Sequence, residues 1–449
     1  MKRIACILSL MAGICLISFP VLAQEAAETA TATAAASAEE SAEPAPELNG
    51  ANTAWILTAT ALVLFMTIPG LSLFYAGLVG RKNVLSVLMH CFMITAVMSV
   101  LWLAFGYSIA FGDANPYFGG FGSIFARGVT ADSMSGDIPE FLFFGFQMTF
   151  FIITPALMVG AFVERMKFSA MLLFTSIWAL VVYAPVCHWV WAGNGFMLES
   201  GTMDLAGGIV VHITAGIGAL VVCIMVGPRK GYPTAQFQPH SLPLCVTGTG
   251  MLWVGWFGFN AGSQLAANGD AAQTLVVTHL SAATATIVWS LAEKIKNGKA
   301  SVLGAVTGSI AGLAAITPAS GEVGPIGALA IGAASGFVCW YASVILKAKL
   351  GYDDSLDVVG VHGVGGLVGT LLVAFFAASS LGGKQGADYA IGGQFMTQLT
   401  SSAITIVYTL VLSIIILKVV GIVCGGLRVS ESEEQDGLDI SAHGESGYN

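Results

Sequence analysis

From residue 53 onward the chain resolves into long apolar runs separated by short polar breaks. A helix of about 20 apolar residues crosses the hydrocarbon core of a bilayer. The runs are near or above that length and fall at 53–78, 84–112, 140–163, 168–190, 206–227, 243–262, 272–293, 302–317, 325–346, 356–378 and 394–424. The pattern predicts an all-α polytopic membrane protein of about eleven transmembrane helices, the eighth short and Gly-rich.

The first 23 residues read differently. Lys2 and Arg3 form a charged start, Ile4 to Phe19 an apolar stretch, and Val21-Leu22-Ala23 a small-residue cleavage site, which together read as a secretory signal peptide cut after Ala23. Residues 24–52 are acidic Ala/Glu/Thr/Pro-rich sequence without apolar periodicity, expected to be a disordered periplasmic linker. A membrane domain over 53–427 and a polar cytoplasmic tail over 428–449 complete the expected organisation.

Charge placement tests the helix count. Short cytoplasmic loops collect Lys and Arg. With the mature N-terminus outside, Arg81, Lys82, Arg165, Lys167, Arg229, Lys230, Lys294, Lys296, Lys299, Lys347, Lys349, Lys418 and Arg428 fall on the cytoplasmic side, and only Arg127 and Lys384 on the other. One span more or fewer inverts every later loop. An odd count, an outside start and a cytoplasmic C-terminus therefore support one another, and the expected location is an inner membrane.

Composition agrees. The 449 residues are 56% hydrophobic and 10% charged, too little charge for a soluble surface of this size. The 55 glycines suit helices that pack backbone to backbone in lipid. Much of the net charge of −9 lies in the two acidic tails, and no basic cluster suggests nucleic acid. Cys91, Cys187, Cys223, Cys245, Cys339 and Cys424 are scattered singly in apolar sequence, with no metal-site or disulfide spacing. No nucleophile–base pair or cofactor loop is evident, so neither an enzyme nor a cofactor or metal is expected.

Two Gly-rich segments resemble each other. Asp204 opens one, running to Leu220 with His212 inside; Asp357 opens the other, running to Leu372 with His362 inside. They occupy the fifth and tenth predicted spans, so two five-span repeats of opposite orientation are expected, with their shared site near the midplane. The symmetry brings His212 and His362 together. A neutral imidazole, with one donor and one acceptor, can hold a polar solute or relay a proton; packing between helices is the alternative. His188 and His279 have no such symmetry and read as structural or interfacial. Asp204 and Asp357 read as structural acids capping the helices that follow; the alternative for Asp204 is assistance to a cation at the outer mouth.

Aromatic residues form a second constellation. Phe146 and Phe150 lie four apart, and Trp256 and Phe259 three apart, each pair on one helix face. Trp191 ends the fourth span. Core packing and the interfacial belt are their ordinary roles. The alternative is a cation–π cage leading to a stacked gate, with Ser263 adding a hydroxyl acceptor.

These residues lie in motifs that resemble the ammonium transporter (Amt/Mep/Rh) family, in its bacterial Amt branch. The motifs are FYAGLVGRKNVLS from Phe74, GAFVERMKFSA from Gly160, DLAGGIVVHI from Asp204, WFGFNAGS from Trp256, TPASG from Thr317, DVVGVHGVGG from Asp357 and GLDISAHGESGY from Gly437. The resemblance implies a homotrimer with one pore per subunit and an inverted 5+5 repeat plus a C-terminal helix. It implies an outer recruitment site of Trp191, Phe146, Ser263 and the Ala206 carbonyl, a phenyl gate of Phe150 and Phe259, and a pore lined by His212, His362 and Trp256. The expected substrate is ammonium or ammonia. The tail is expected to couple subunits, and a PII-type regulatory protein to plug the pore from the cytoplasm. A different solute carrier and a non-transporting sensor remain as alternatives.

Overall fold

The computed structural model describes residues 47–448. The expected signal peptide and most of the expected linker lie outside the described residues. Asn49 caps the first helix through its side-chain oxygen, so helix begins at Gly50, inside the segment expected to be linker.

Among the described residues there are eleven apolar helices: α1 (Gly50–Leu78), α2 (Arg81–Phe111), α3 (Glu140–Phe162), α4 (Phe168–Glu199), α5 (Gly208–Val226), α6 (Leu242–Gly262), α7 (Gly269–Asn297), α8 (Val302–Ile316), α9 (Pro325–Leu350), α10 (Val359–Phe376) and α11 (Ile391–Val423). Ten are long and apolar enough to cross a membrane. The shorter α8 is continued by buried turns over Thr317 to Gly321, and sits where the short Gly-rich run was expected. Two short tail helices, α12 (Glu431–Asp436) and α13 (Leu438–His443), complete the chain. The described strands, β1 (Met134–Ser135) and β2 (Ile138–Pro139), form a small hairpin before α3.

The loops segregate into two faces. One gathers the breaks after α1, α3, α5 and α9 together with the tail. There the Glu164 carboxylate accepts from the Gly80 N–H and from Asn83, and pairs with Arg229; Arg229 also forks onto Asp353, and the Lys167 ammonium donates to the Gly425 carbonyl. This is the basic face. At the opposite face Asn52 donates to Asp137, the Ala267 N–H donates to Asn52, and Lys384 pairs with Asp270. The charge pattern read from sequence is thus gathered in space.

The tail is folded rather than merely solvated. Asp439 accepts a 2.8 Å bond from the Ser86 N–H in the first turn of α2, and Asn83 accepts one from the Leu438 N–H. The tail supplies part of the N-terminal cap of a helix more than three hundred residues away in sequence, where unpaired N–H groups need acceptors. His443 packs edge-on against Phe168, and Tyr448 bonds to His240.

Candidate functional site

The site is built by α5 and α10, which cross at the centre of the bundle. Each begins with a π-helical segment, Gly208–Ile213 and Val359–Gly363, and each segment carries a histidine. Such wide turns recur where a side chain must be aimed. The Nδ1 atoms of His212 and His362 lie 3.3 Å apart, with ring centroids at 5.2 Å. One nitrogen donates and the other accepts. His212 Nε2 is buried without a protein partner.

The two helices are related by a constant offset of 150 residues between histidines. Gly216 and Gly366 each follow their own histidine by one helical turn and abut the other repeat. A Cβ on Gly216 would lie 2.2 Å from the Gly363 Cα, and one on Gly366 would lie 2.7 Å from the His212 Cβ. Glycine here permits the approach that brings the rings together.

The same offset corrects one expectation. Asp204 caps α5: its Oδ1 accepts from the N–H groups of Gly207 and Gly208, and its Oδ2 from those of Ile209 and Val210. Asp357 does not play that part for α10. It pairs with Lys347, and its φ of 61° matches the left-handed Gly207 at φ 115°. Asp354 is the cap of α10, its Oδ2 accepting from the Val359 N–H at 2.8 Å. The carboxylate thus stands eight residues before the histidine in both repeats. Burial pushes the Asp204 carboxyl up to about 6, against the pull of its N–H donors.

The aromatic residues form a connected column on the His212 side. Phe150 and Phe259 stack with centroids 4.3 Å apart and an interplanar angle of 28°. Phe146 meets Phe150 at 5.1 Å, and Trp191 meets it edge-on at 5.6 Å. The Trp191 indole donates to the Asp204 carbonyl, fixing that ring to the cap of α5. Ser263 donates to the Phe259 carbonyl. Its neighbour Gly262 lies so close to Phe146 that a Cβ there would come within about 3.0 Å of the ring. Ala206 is fully buried between Asp204 and Gly207. Trp256 donates to the Thr317 hydroxyl at 2.9 Å, which holds its ring 5.6 Å from that of His212. All ten expected residues therefore lie in two neighbouring clusters.

Next to Phe259 a small apolar cavity is lined by Ile153, Leu157, Val211, Leu252 and Phe74, with both histidines and Trp256 on its wall. The imidazoles are its main polar groups. His188 lies apart: its ring nitrogens face the carbonyls of Ala110 and Asn115 and tie α4 to the end of α2. His279 sits on the outer surface of the bundle against Trp253.

Sequence reading missed the charge network at the basic face. Arg229 lies between Glu164 and Asp353, and Arg165 is fully buried, donating to the carbonyls of Gly227, Ala161 and Asp353. The Arg229 guanidinium holds the Asp353 carboxyl below its usual range, although burial opposes it. The adjacent Asp pair was the available signal: acids beside a Gly-rich apolar segment need cations or N–H donors.

Apolar helices packed around a buried histidine pair and a small apolar cavity define a polytopic membrane protein. The chain belongs to the ammonium transporter family: the sequence pattern of the Ammonium Transporter Family matches residues 54–448. It is 45% identical over 434 residues to an ammonium transporter of Mycobacterium tuberculosis, covering 89% of this chain and 90% of that one. It is 45% identical over 407 residues to an ammonium transporter of Aquifex aeolicus, covering 90% and 94%. The crystal structure of Candida albicans Mep2 superposes with a TM-score of 0.80 at 33% identity, covering 86% of this chain and 88% of that one.

Proposed function

We propose that this protein conducts ammonium or ammonia across the inner membrane, with its N-terminus periplasmic and its basic face in the cytoplasm. The observation that carries the reading is the Nδ1–Nδ1 contact of His212 and His362 in an otherwise apolar cavity. An intact ammonium ion loses its hydration there and meets no carboxylate in return, a large cost for a charge. Ammonia can instead pass along the imidazoles: with the Nδ1 atoms bonded to each other, the Nε2 of one ring is left to accept from it and the Nε2–H of the other to donate to it.

The aromatic column supplies the entrance. Trp191 and Phe146 present ring faces to a cation, with attraction of about 0.5–2 kcal/mol, more once it is dehydrated. The Ser263 hydroxyl and the Ala206 carbonyl supply acceptors. Transient displacement of Phe150 and Phe259 admits the substrate. Deprotonation near His212 leaves ammonia to cross, and the proton either returns outside or follows through the histidine pair. Asp204 holds the α5 turn that aims His212. Potassium has no proton to shed and is excluded.

The family resemblance supports a homotrimer with one path per subunit, and a PII-type regulatory protein docking at the face where the tail is folded. Sedimentation of the purified protein, alone and with a candidate PII-type protein, checks both.

Reconstituted into liposomes, the protein is expected to give an ammonium-evoked current that sodium and potassium do not evoke. Loss of that current in His212→Ala and His362→Ala supports a histidine proton route. Luminal alkalinisation without current supports neutral gas conduction. Neither signal from folded protein sinks the transport reading in favour of a sensor.

A further inference from the structure

The repeat places a carboxylate before each histidine, but the two carboxylates are used differently. Both oxygens of Asp204 are occupied by backbone N–H groups. Asp354 meets fewer N–H groups of its helix: Oδ2 accepts from the Val359 N–H, and the Val358 N–H also acts on the carboxylate, but Oδ1 is buried without a hydrogen-bond partner in a residue only 1% exposed. A buried carboxylate oxygen left unpaired is costly and calls for an account. Its neighbour Asp353 offers the contrast, locked in the Arg229 fork and held charged. Lys347, the nearest cation to Asp354, spends its ammonium on the Asp357 carboxylate and the Asp354 backbone carbonyl.

The geometry points to Asp354 as the inner proton acceptor of the pathway, the terminus to which the histidine pair delivers. It rests on the conduction reading above. Because α5 and α10 run in opposite senses, the order along the path is Asp204, His212, His362, Asp354. Val359, which Asp354 caps at 2.8 Å, is three residues before His362, so the carboxylate lies a hydrogen-bond length beyond a backbone rise of about 4.5 Å from the histidine, a gap for water to bridge. Ammonium gives its proton to His212, leaving ammonia. The proton crosses the Nδ1–Nδ1 contact, and water carries it over the remaining gap to Asp354. The protonated acid then releases it to the cytoplasm, where it rejoins ammonia, so protons and charge balance.

The surroundings suit a group that gains and loses a proton. Lys347 of α9, Asp357, Tyr75 of α1, Cys223 of α5 and Tyr352 face Asp354. Burial, with Asp357 adding to it and Lys347 opposing it, pushes the Asp354 carboxyl up to about 6.

The test is Asp354→Asn in proteoliposomes. Asn keeps an oxygen for the Val359 N–H, so the cap persists while the proton site is lost. We expect the ammonium-evoked current to fall roughly tenfold or more, the pH dependence of the residual current between about pH 5 and 7 to flatten, and Asp354→Glu to restore part of both. Wild-type current and pH profile in Asp354→Asn overturn the proposal. So does an equal loss at every pH accompanied by a lowered unfolding temperature, which marks a purely structural cap. Absence of ammonium current in the wild-type protein, or full current in His362→Ala, instead removes the histidine proton route on which the proposal stands.

Discussion

Gly216 lies against Gly363 with no room for a side chain of its own: a Cβ at Gly216 would be 2.2 Å from the Gly363 Cα and 2.4 Å from its nitrogen, whereas one at Gly363 would lie 3.2 Å from the Gly216 Cα. Neither contact can be relieved by turning a side chain, since both partners are backbone atoms. The closeness of α5 and α10, and with it the histidine contact, rests on this crossing.

Gly216→Ala is therefore expected to push the helices apart and break the His212–His362 hydrogen bond. Overpacking of this kind costs about 1–3 kcal/mol, so a lowered unfolding temperature in detergent should accompany loss of conduction. Wild-type conduction in this variant means the crossing tolerates movement that the rigid backbone contact does not suggest.

Phe259 stands between the stacked Phe150 ring and His212, at 4.3 and 6.2 Å between centroids. Phe259→Ala removes a stacking contact of about 0.5–1.5 kcal/mol beyond its buried area and opens the cavity to water. Ammonium-evoked current in that variant is expected to lose its selectivity against potassium. Measured in the same liposomes, retained selectivity assigns discrimination to the histidines alone.

The Arg229–Asp353 fork sets an acid limit on stability. The Asp353 carboxyl is held below its ordinary value by Arg229, so its contribution is complete above the unfolded carboxylate range, near pH 4, and is lost as pH falls through the lower folded value. Burial of both partners makes removal of one costly, about 3–5 kcal/mol. Thermal unfolding of Arg229→Ala at pH 7 should show that loss, and the variant's steepest acid sensitivity should vanish below about pH 4. An unchanged unfolding temperature contradicts the assignment.

The cap supplied by Asp439 links the tail to the first turn of α2. Asp439→Ala should cost about 1 kcal/mol and free the tail, so limited proteolysis should cut after Arg428 faster than in the wild-type protein. Equal cleavage rates mean that the contacts of Tyr448 and His443 hold the tail by themselves.

The spans were legible because lipid imposes a length and an apolar composition that sequence records directly; α8 was uncertain because its crossing is completed by turns. His212 and His362 were legible because ionisable groups are rare in apolar runs. The true partner of Asp204 was not. The residue similarity aligned it with Asp357, whereas hydrogen bonding aligns it with Asp354, and only the backbone reveals that Asp357 occupies the left-handed position of Gly207. The Arg229 fork joins loops 124 residues apart, and no local pattern encodes such a pairing.

The near-equivalence of the two repeats bears on directionality. A path whose central groups exchange places under a half-turn gives a traveller the same terrain from either side, so the histidine pair cannot act as a one-way valve. The asymmetry lies at the ends: His212 meets the rings of Trp256 and Phe259, while His362 meets, among the described ring contacts, only His212. Whatever bias the protein imposes on inward against outward movement must be set at those ends and by the gradients across them.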